Sequence, residues 1–339
     1  MWHISNGGRP HRSASGRRYL VAGTALFAVL AVVVTALVTA SAHQPDPVRS
    51  PMVTRLAKPV KPAPAASAPV GPVSGMHMMS VDGVARTYRS IVPTRITGRV
   101  PLLIVLHGRG QSARGTMRDT GFLELAEQRR AVLVYPDGQH RSWDAGHGCC
   151  GFAGSRDTPD VAFVTALVAD AERRWPIDAD RVYLVGYSNG GKLAYSTLCA
   201  HPTLFAAVAT YGAVPLAPCE AGTHPVPMLL AAGTADRVMP FQGKPSGRPP
   251  LPSVPQALEW LRTQDGCPAA AQASRAGSAE IQRWVGCQDG TEVESVFYTG
   301  RGHPWPNAQG KAASPAVAGL MWTFFSQQDE QPFHPATHG

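Results

Sequence analysis

Short runs of uninterrupted apolar residues recur between residues 76 and 328, separated by segments whose apolar positions return every three or four residues. Residues 102–106 (LLIVL), 132–135, 182–185, 206–210 and 228–231 lack the polar alternation of a half-exposed strand. Such runs predict parallel strands covered on both faces. Between them Val161, Val164, Val168, Ala171 and Trp175 fall at helical spacing, with Asp160 placed to cap the start and Pro176 to stop the end. Residues 76–81 and 84–92 flank Asp82-Gly83 and predict an antiparallel edge hairpin. Residues 314–326 predict a closing helix. Alternating strand and helix without an internal repeat predicts one α/β domain over residues 76–328, with a mostly parallel central sheet and helices on both faces.

The N-terminal stretch has a different pattern. Arg9, Arg12, Arg17 and Arg18 lie in a basic segment, residues 1–18, ahead of an uncharged run over residues 19–42 that is long enough to cross a bilayer. The basic flank predicts that this end stays cytoplasmic and the rest of the chain is exported. The run reads equally as an anchor or as a signal cleaved after Ala40-Ser41-Ala42. The α/β domain is therefore expected outside the cytoplasm, secreted or tethered to the membrane. Residues 43–75, rich in Pro and Ala, read as an extended linker, and residues 329–339 as a flexible tail.

The formal charge of +8 narrows the possible partners once it is located. Residues 1–75 carry eight Lys and Arg against one acid, which leaves 23 against 22 for the remainder. A nearly neutral domain offers no basic face for a phosphate backbone, so nucleic acid is not an expected partner.

The chemistry is concentrated at Gly186-Tyr187-Ser188-Asn189-Gly190, a G-x-S-x-G sequence between an apolar strand and a helix. In this context small residues permit the tight turn that presents a serine hydroxyl above a sheet. The same stretch approaches a phosphate loop, but Leu193 follows Lys192 where a magnesium-ligating hydroxyl would stand. Residues 108–113 approach a dinucleotide fingerprint without the acidic residue it needs about 20 positions on. Neither a cofactor nor a metal is expected. Serine needs a base, and in this fold the acid and then the histidine follow the nucleophile along the chain. Asp236, just after the strand at 228–231, and His303, just after the strand at 293–300, occupy those places. The backbone amides of Asn189 and Arg109 are the candidate oxyanion donors. His107 fits a structural hydrogen-bonding role better than that of a base.

Trp143, Tyr187, Phe241 and Trp305 are expected on loops beside the site, where aromatic rings form apolar clefts. An even set of six cysteines beyond the apolar run predicts disulfides. Cys267 and Cys287 are expected to pair, and adjacent Cys149 and Cys150 to reach Cys199 and Cys219 in either order.

The segments LHGRGQSA, SWDAGHGCCG, RVYLVGYSNGGKLAY, GTADRVMPF and GRGHPWP, in that order, resemble the polyhydroxybutyrate depolymerase-like esterases, relatives of the feruloyl and acetylxylan esterases. The resemblance implies an α/β-hydrolase fold and metal-free ester hydrolysis, with Ser188 as nucleophile, Asp236 as orienting acid and His303 as base. It also implies that Trp143 and Cys149-Cys150 stand near the site entrance. Pro159-Asp160, Asn307 and Ala308 depart from the family pattern and put the rim in question. The chain ends soon after the last helix, without an appended polymer-binding module, which argues against insoluble polyester. The expected substrate is an ester, either a hydroxyalkanoate oligomer or polyester, or an acylated plant polysaccharide fragment. Alternatives are an envelope acyltransferase on the same fold and a catalytically silent binding protein.

Overall fold

The computed structural model describes residues 71–128, 130–307 and 315–328. The basic segment 1–18, the apolar run 19–42, the linker up to residue 70, Ala308 and the tail 329–339 lie outside the described residues. Among the described residues no helix is long and apolar enough to cross a membrane.

Ten strands form one sheet: β1 (Val73–Val81), β2 (Val84–Val92), β3 (Val100–Leu106), β4 (Val132–Pro136), β5 (Ile177–Tyr187), β6 (Ala207–Tyr211), β7 (Met228–Gly233), β8 (Gln272–Ala276), β9 (Ala279–Val285) and β10 (Glu292–Tyr298). Their spatial order is β1-β2-β4-β3-β5-β6-β7-β10-β9-β8. The run from β4 to β10 is parallel, and an antiparallel pair extends each side. The apolar runs are the central strands, and every residue of β3, β4, β6 and β7 is buried. β1 begins at Val73, so the expected linker overlaps its first three residues.

Among the described residues seven helices accompany the sheet: α1 (Ala113–Asp119), α2 (Leu123–Glu127), α3 (Gly151–Gly154), α4 (Asp160–Arg174), α5 (Asn189–Ala200), α6 (Val254–Gln264) and α7 (Val317–Gln328). Strand side chains alternate between two cores. Leu102, Ile104 and Leu106 meet Phe163 and Val164 of α4, Leu193 of α5 and Leu258 of α6 on one face. Leu103 and Val105 meet Ala113 of α1, Leu125 of α2 and Phe324 and Phe325 of α7 on the other.

Two expectations need correction. Pro159, not Asp160, holds the cap position of α4, and Asp160 is the first helical residue with its side chain buried. Its two oxygens are already taken, one by Arg86 Nη2 at 2.5 Å and the other by the Asp144 amide at 2.6 Å. Cys267 bonds Cys287 as expected, but the other four cysteines pair otherwise: Cys149 bonds Cys150 and Cys199 bonds Cys219. The reason lies in α5: Cys149 and Cys150 lie beside Lys192 near its N-terminal end. Cys199 is seven residues further on, about 10 Å along the axis at 1.5 Å per residue.

Candidate active site

The turn between β5 and α5 is built by close packing. A Cβ on Gly190 would stand 2.6 Å from the His107 carbonyl and 2.7 Å from that of Leu106, so only glycine lets α5 start against the end of β3. Gly186 is equally confined, with Gly190 O and Gly191 Cα each 2.5 Å from its would-be Cβ. Between them Ser188 adopts φ 53°, ψ −114°, a conformation unusual for a residue with a side chain, and its amide donates to Tyr211 O at 3.0 Å.

Asp236 follows β7 and His303 follows β10, two adjacent parallel strands, so both loops emerge at the same C-terminal strand ends as Ser188 after β5. His303 Nε2 lies 2.9 Å from Ser188 Oγ, and Nδ1 lies 2.7 Å from Asp236 Oδ2. The other oxygen of Asp236 accepts the amides of Val238 and Met239, each at 2.8 Å. Burial pushes this carboxyl up, but the His303 hydrogen bond, the two amides and the attraction a charged His303 exerts together hold it below the ordinary carboxylate value. An ionised carboxylate accepts only, so the Nδ1 proton faces Asp236 and the Nε2 lone pair faces the serine hydroxyl. Such an array can take a proton from an alcohol and stabilise the imidazolium that results.

The histidine loop is gripped from the sheet. Tyr187 donates its hydroxyl to His303 O at 3.1 Å, and Tyr211 donates to Gly302 O at 2.8 Å. Arg109 and Asn189 line the cleft with Ser188, and among the described residues neither backbone amide donates elsewhere. His107 is fully buried; its Nδ1 donates to Gly108 O at 2.8 Å and its Nε2 accepts from the Gly138 amide at 2.9 Å.

The Asn189 side chain does something the motif alone does not reveal. Its oxygen accepts from Trp143 N at 2.8 Å and its amide donates to Trp143 O at 3.0 Å. This two-point clamp ties the segment leading to Cys149-Cys150 to the first turn of α5.

The aromatic cleft is not where it was expected. Trp143 is wholly buried, its indole N–H donating to His107 O, so it is core rather than cleft wall. Tyr187 stacks on Tyr211 beneath the histidine loop, Trp305 meets both rings edge-on, and the Trp305 indole donates to Thr120 O at 3.2 Å. Neither Tyr187 nor Trp305 lines the cleft at Ser188, and nor does Phe241, which packs on Phe297. The cleft, about 320 Å³, instead has walls from the Cys149-Cys150 pair, Val238, Met239, Leu251 and Pro249, with Arg109, Lys192, Lys244 and Arg248 around it. Cys149-Cys150 and Arg109 stand at the site as expected, whereas the other residues of this lining were not anticipated. Only Lys192, four positions after Ser188 and so on the same face of α5, carried a local signal. Its ammonium is buried, which together with the nearby Arg109 charge lowers its pKa to about 8.

Residues 87–238 match the family model described as esterase PHB depolymerase. NocK of Nocardia uniformis subsp. tsuyamanensis, which its name describes as an esterase, is 31% identical over 252 residues, spanning 67% of this chain and 72% of that protein. Feruloyl esterase D of Neurospora crassa is 26% identical, spanning 73% and 84%. The bifunctional acetylxylan esterase/xylanase XynS20E of Neocallimastix patriciarum is 26% identical over 73% of this chain, which spans only 34% of that protein. Among solved structures the acetyl xylan esterase from Aspergillus awamori superposes with a TM-score of 0.53 at 16% identity, covering 74% of this chain and 99% of its own. The shared architecture is the α/β-hydrolase fold.

Proposed function

This chain belongs to the PHB depolymerase esterase family, and on that premise we propose that it is a serine carboxylic-ester hydrolase acting through an acyl-enzyme. The observation that carries this reading is the hydrogen-bonded chain from Ser188 Oγ through the His303 ring to Asp236. His303 Nε2 accepts the serine proton as Oγ bonds to the ester carbonyl carbon. The tetrahedral oxyanion is held by the amides of Arg109 and Asn189. Collapse expels the alcohol, which takes the proton from the imidazolium. Water, deprotonated by the same nitrogen, then attacks the acyl-enzyme and releases the acid. No step requires a metal.

The names of the relatives favour acetyl or feruloyl esters as the substrate class over polyester. The three disulfides accord with an oxidising compartment, and the apolar run 19–42 with export as signal or anchor.

The test is covalent labelling with a fluorophosphonate, together with turnover of 4-nitrophenyl acetate. Wild type should label at Ser188 and Ser188→Ala should do neither; a labelled or active S188A protein would refute the mechanism. Transfer of the acyl group to a sugar in preference to water would identify the acyltransferase alternative instead.

A further inference from the structure

The cleft beside Ser188 is lined by four cationic residues and by no Asp or Glu. Arg109 comes from the loop after β3, Lys192 from α5, and Lys244 and Arg248 from the segment between β7 and α6. Among the described residues none of the four is paired with a carboxylate.

Lys192 is the most telling of them. Its residue surface is 8% exposed, and its Nζ donates to the sulfurs of Cys149 and Cys150, at 3.6 and 3.8 Å. A thiol-derived sulfur is a weak acceptor, so the cation is taken from water without an anionic partner. A buried charge is normally paired, and an unpaired one costs stability unless function retains it. The domain is otherwise close to electrically neutral, so the concentration of positive charge at this opening is not a property of the surface as a whole. Fields from charges grouped at a cleft with low-dielectric walls are focused into it, and here Val238, Met239, Leu251 and Pro249 supply the apolar wall.

We propose that the cleft selects esters that carry a carboxylate near the scissile bond, with Lys192, Lys244, Arg248 and Arg109 as the recognising cations. This deepens the serine-hydrolase reading and rests on it. The anion sits on the acyl or the alcohol portion of the substrate, and matched ester pairs distinguish the two.

For the acyl side, mono-4-nitrophenyl glutarate is compared with 4-nitrophenyl hexanoate. For the alcohol side, 4-acetoxybenzoate is compared with 4-acetoxybenzamide. Each kcat/KM is normalised to the hydroxide-catalysed rate, and the ratio of charged to neutral ester is the readout. In one of the pairs wild type should favour the charged ester at least tenfold. That ratio should fall as salt rises from 20 mM to 1 M, because the Debye length shrinks from over 20 Å to about 3 Å. It should fall towards one in Lys244→Ala/Arg248→Ala, and be restored in Lys244→Arg/Arg248→Lys, where charge is kept.

Ratios at or below one in both pairs, in a protein that turns over the neutral esters and labels at Ser188, would overturn the proposal and leave the serine reading intact. A preference that salt and the double alanine variant leave unchanged would overturn it equally. Absence of both labelling and turnover would remove the serine reading, and the proposal with it.

Discussion

Replacing Asp236 by Asn tests the orientation of the base more sharply than deleting it. The Val238 and Met239 amides both point at Oδ1, so the new side chain must place its carbonyl oxygen there. Its NH₂ then occupies the Oδ2 position, 2.7 Å from His303 Nδ1. A donor facing Nδ1 forces that nitrogen to accept, and the ring proton moves to Nε2, opposite Ser188 Oγ. The serine then faces a nitrogen with no lone pair to offer. Reversing the tautomer against these contacts gives up one hydrogen bond and sets two donors head to head, about 2–3 kcal/mol, and loss of a charge-assisted bond to the imidazolium adds about 2–3 kcal/mol. The sum corresponds to a fall in kcat of about 10³ to 10⁴, the scale documented for the same change in the chymotrypsin-type triad. Asp236→Ala imposes no tautomer and should fall less far than Asp236→Asn. The assay is steady-state hydrolysis of 4-nitrophenyl acetate, with circular dichroism to show that the fold is kept. An Asn variant retaining more than a tenth of wild-type kcat, in a folded protein, would refute this account of the site.

Two further substitutions probe the framework. Asp265, at the end of α6, is buried, and desolvation raises its pKa to about 8 despite a hydrogen bond from the Val226 amide. A carboxyl whose folded value is raised stabilises the fold fully below pH 4 and ceases to as pH climbs towards 8, so at pH 9 Asp265→Asn should stabilise the fold by on the order of 6 kcal/mol, at about 1.4 kcal/mol per pH unit, raising the melting temperature there and changing it little at pH 4; an unchanged or lowered melting temperature at pH 9 would contradict this. Asp160→Ala leaves the fully buried Arg86 guanidinium without its counter-charge and the Asp144 amide without its acceptor. Urea denaturation should show a loss of about 3–5 kcal/mol, the usual cost of stranding one member of a buried pair.

The central strands were legible because burial on both faces leaves an unbroken apolar run, as in β3 and β7. β8 escaped because four of its five residues are exposed, so nothing in Gln272–Ala276 marks it as the outer edge of the sheet, and β9 because only Ala279 and Trp284 of its seven residues are buried. Ser188, Asp236 and His303 could be named because order along the chain and position after a strand are sequence properties. The cleft could not, since Lys244 and Arg248 join it from a segment with no periodicity of its own. Trp143 illustrates the limit: a tryptophan close to a site has the same letter whether its ring faces solvent or lies under His107. The pairing of Cys149 with Cys150 depended on which turn of α5 their loop meets, which spacing in the chain does not encode.

Tyr187 and Tyr211 secure the histidine loop by backbone oxygens, the one feature every amino acid shares. Their grip is blind to the side chains that the loop displays. Exchanges at exposed Pro304 should therefore leave the imidazole in place, so the outer face of this loop is free to drift over evolutionary time, or in a directed library, while the contacts of His303 with Ser188 and Asp236 stay in register.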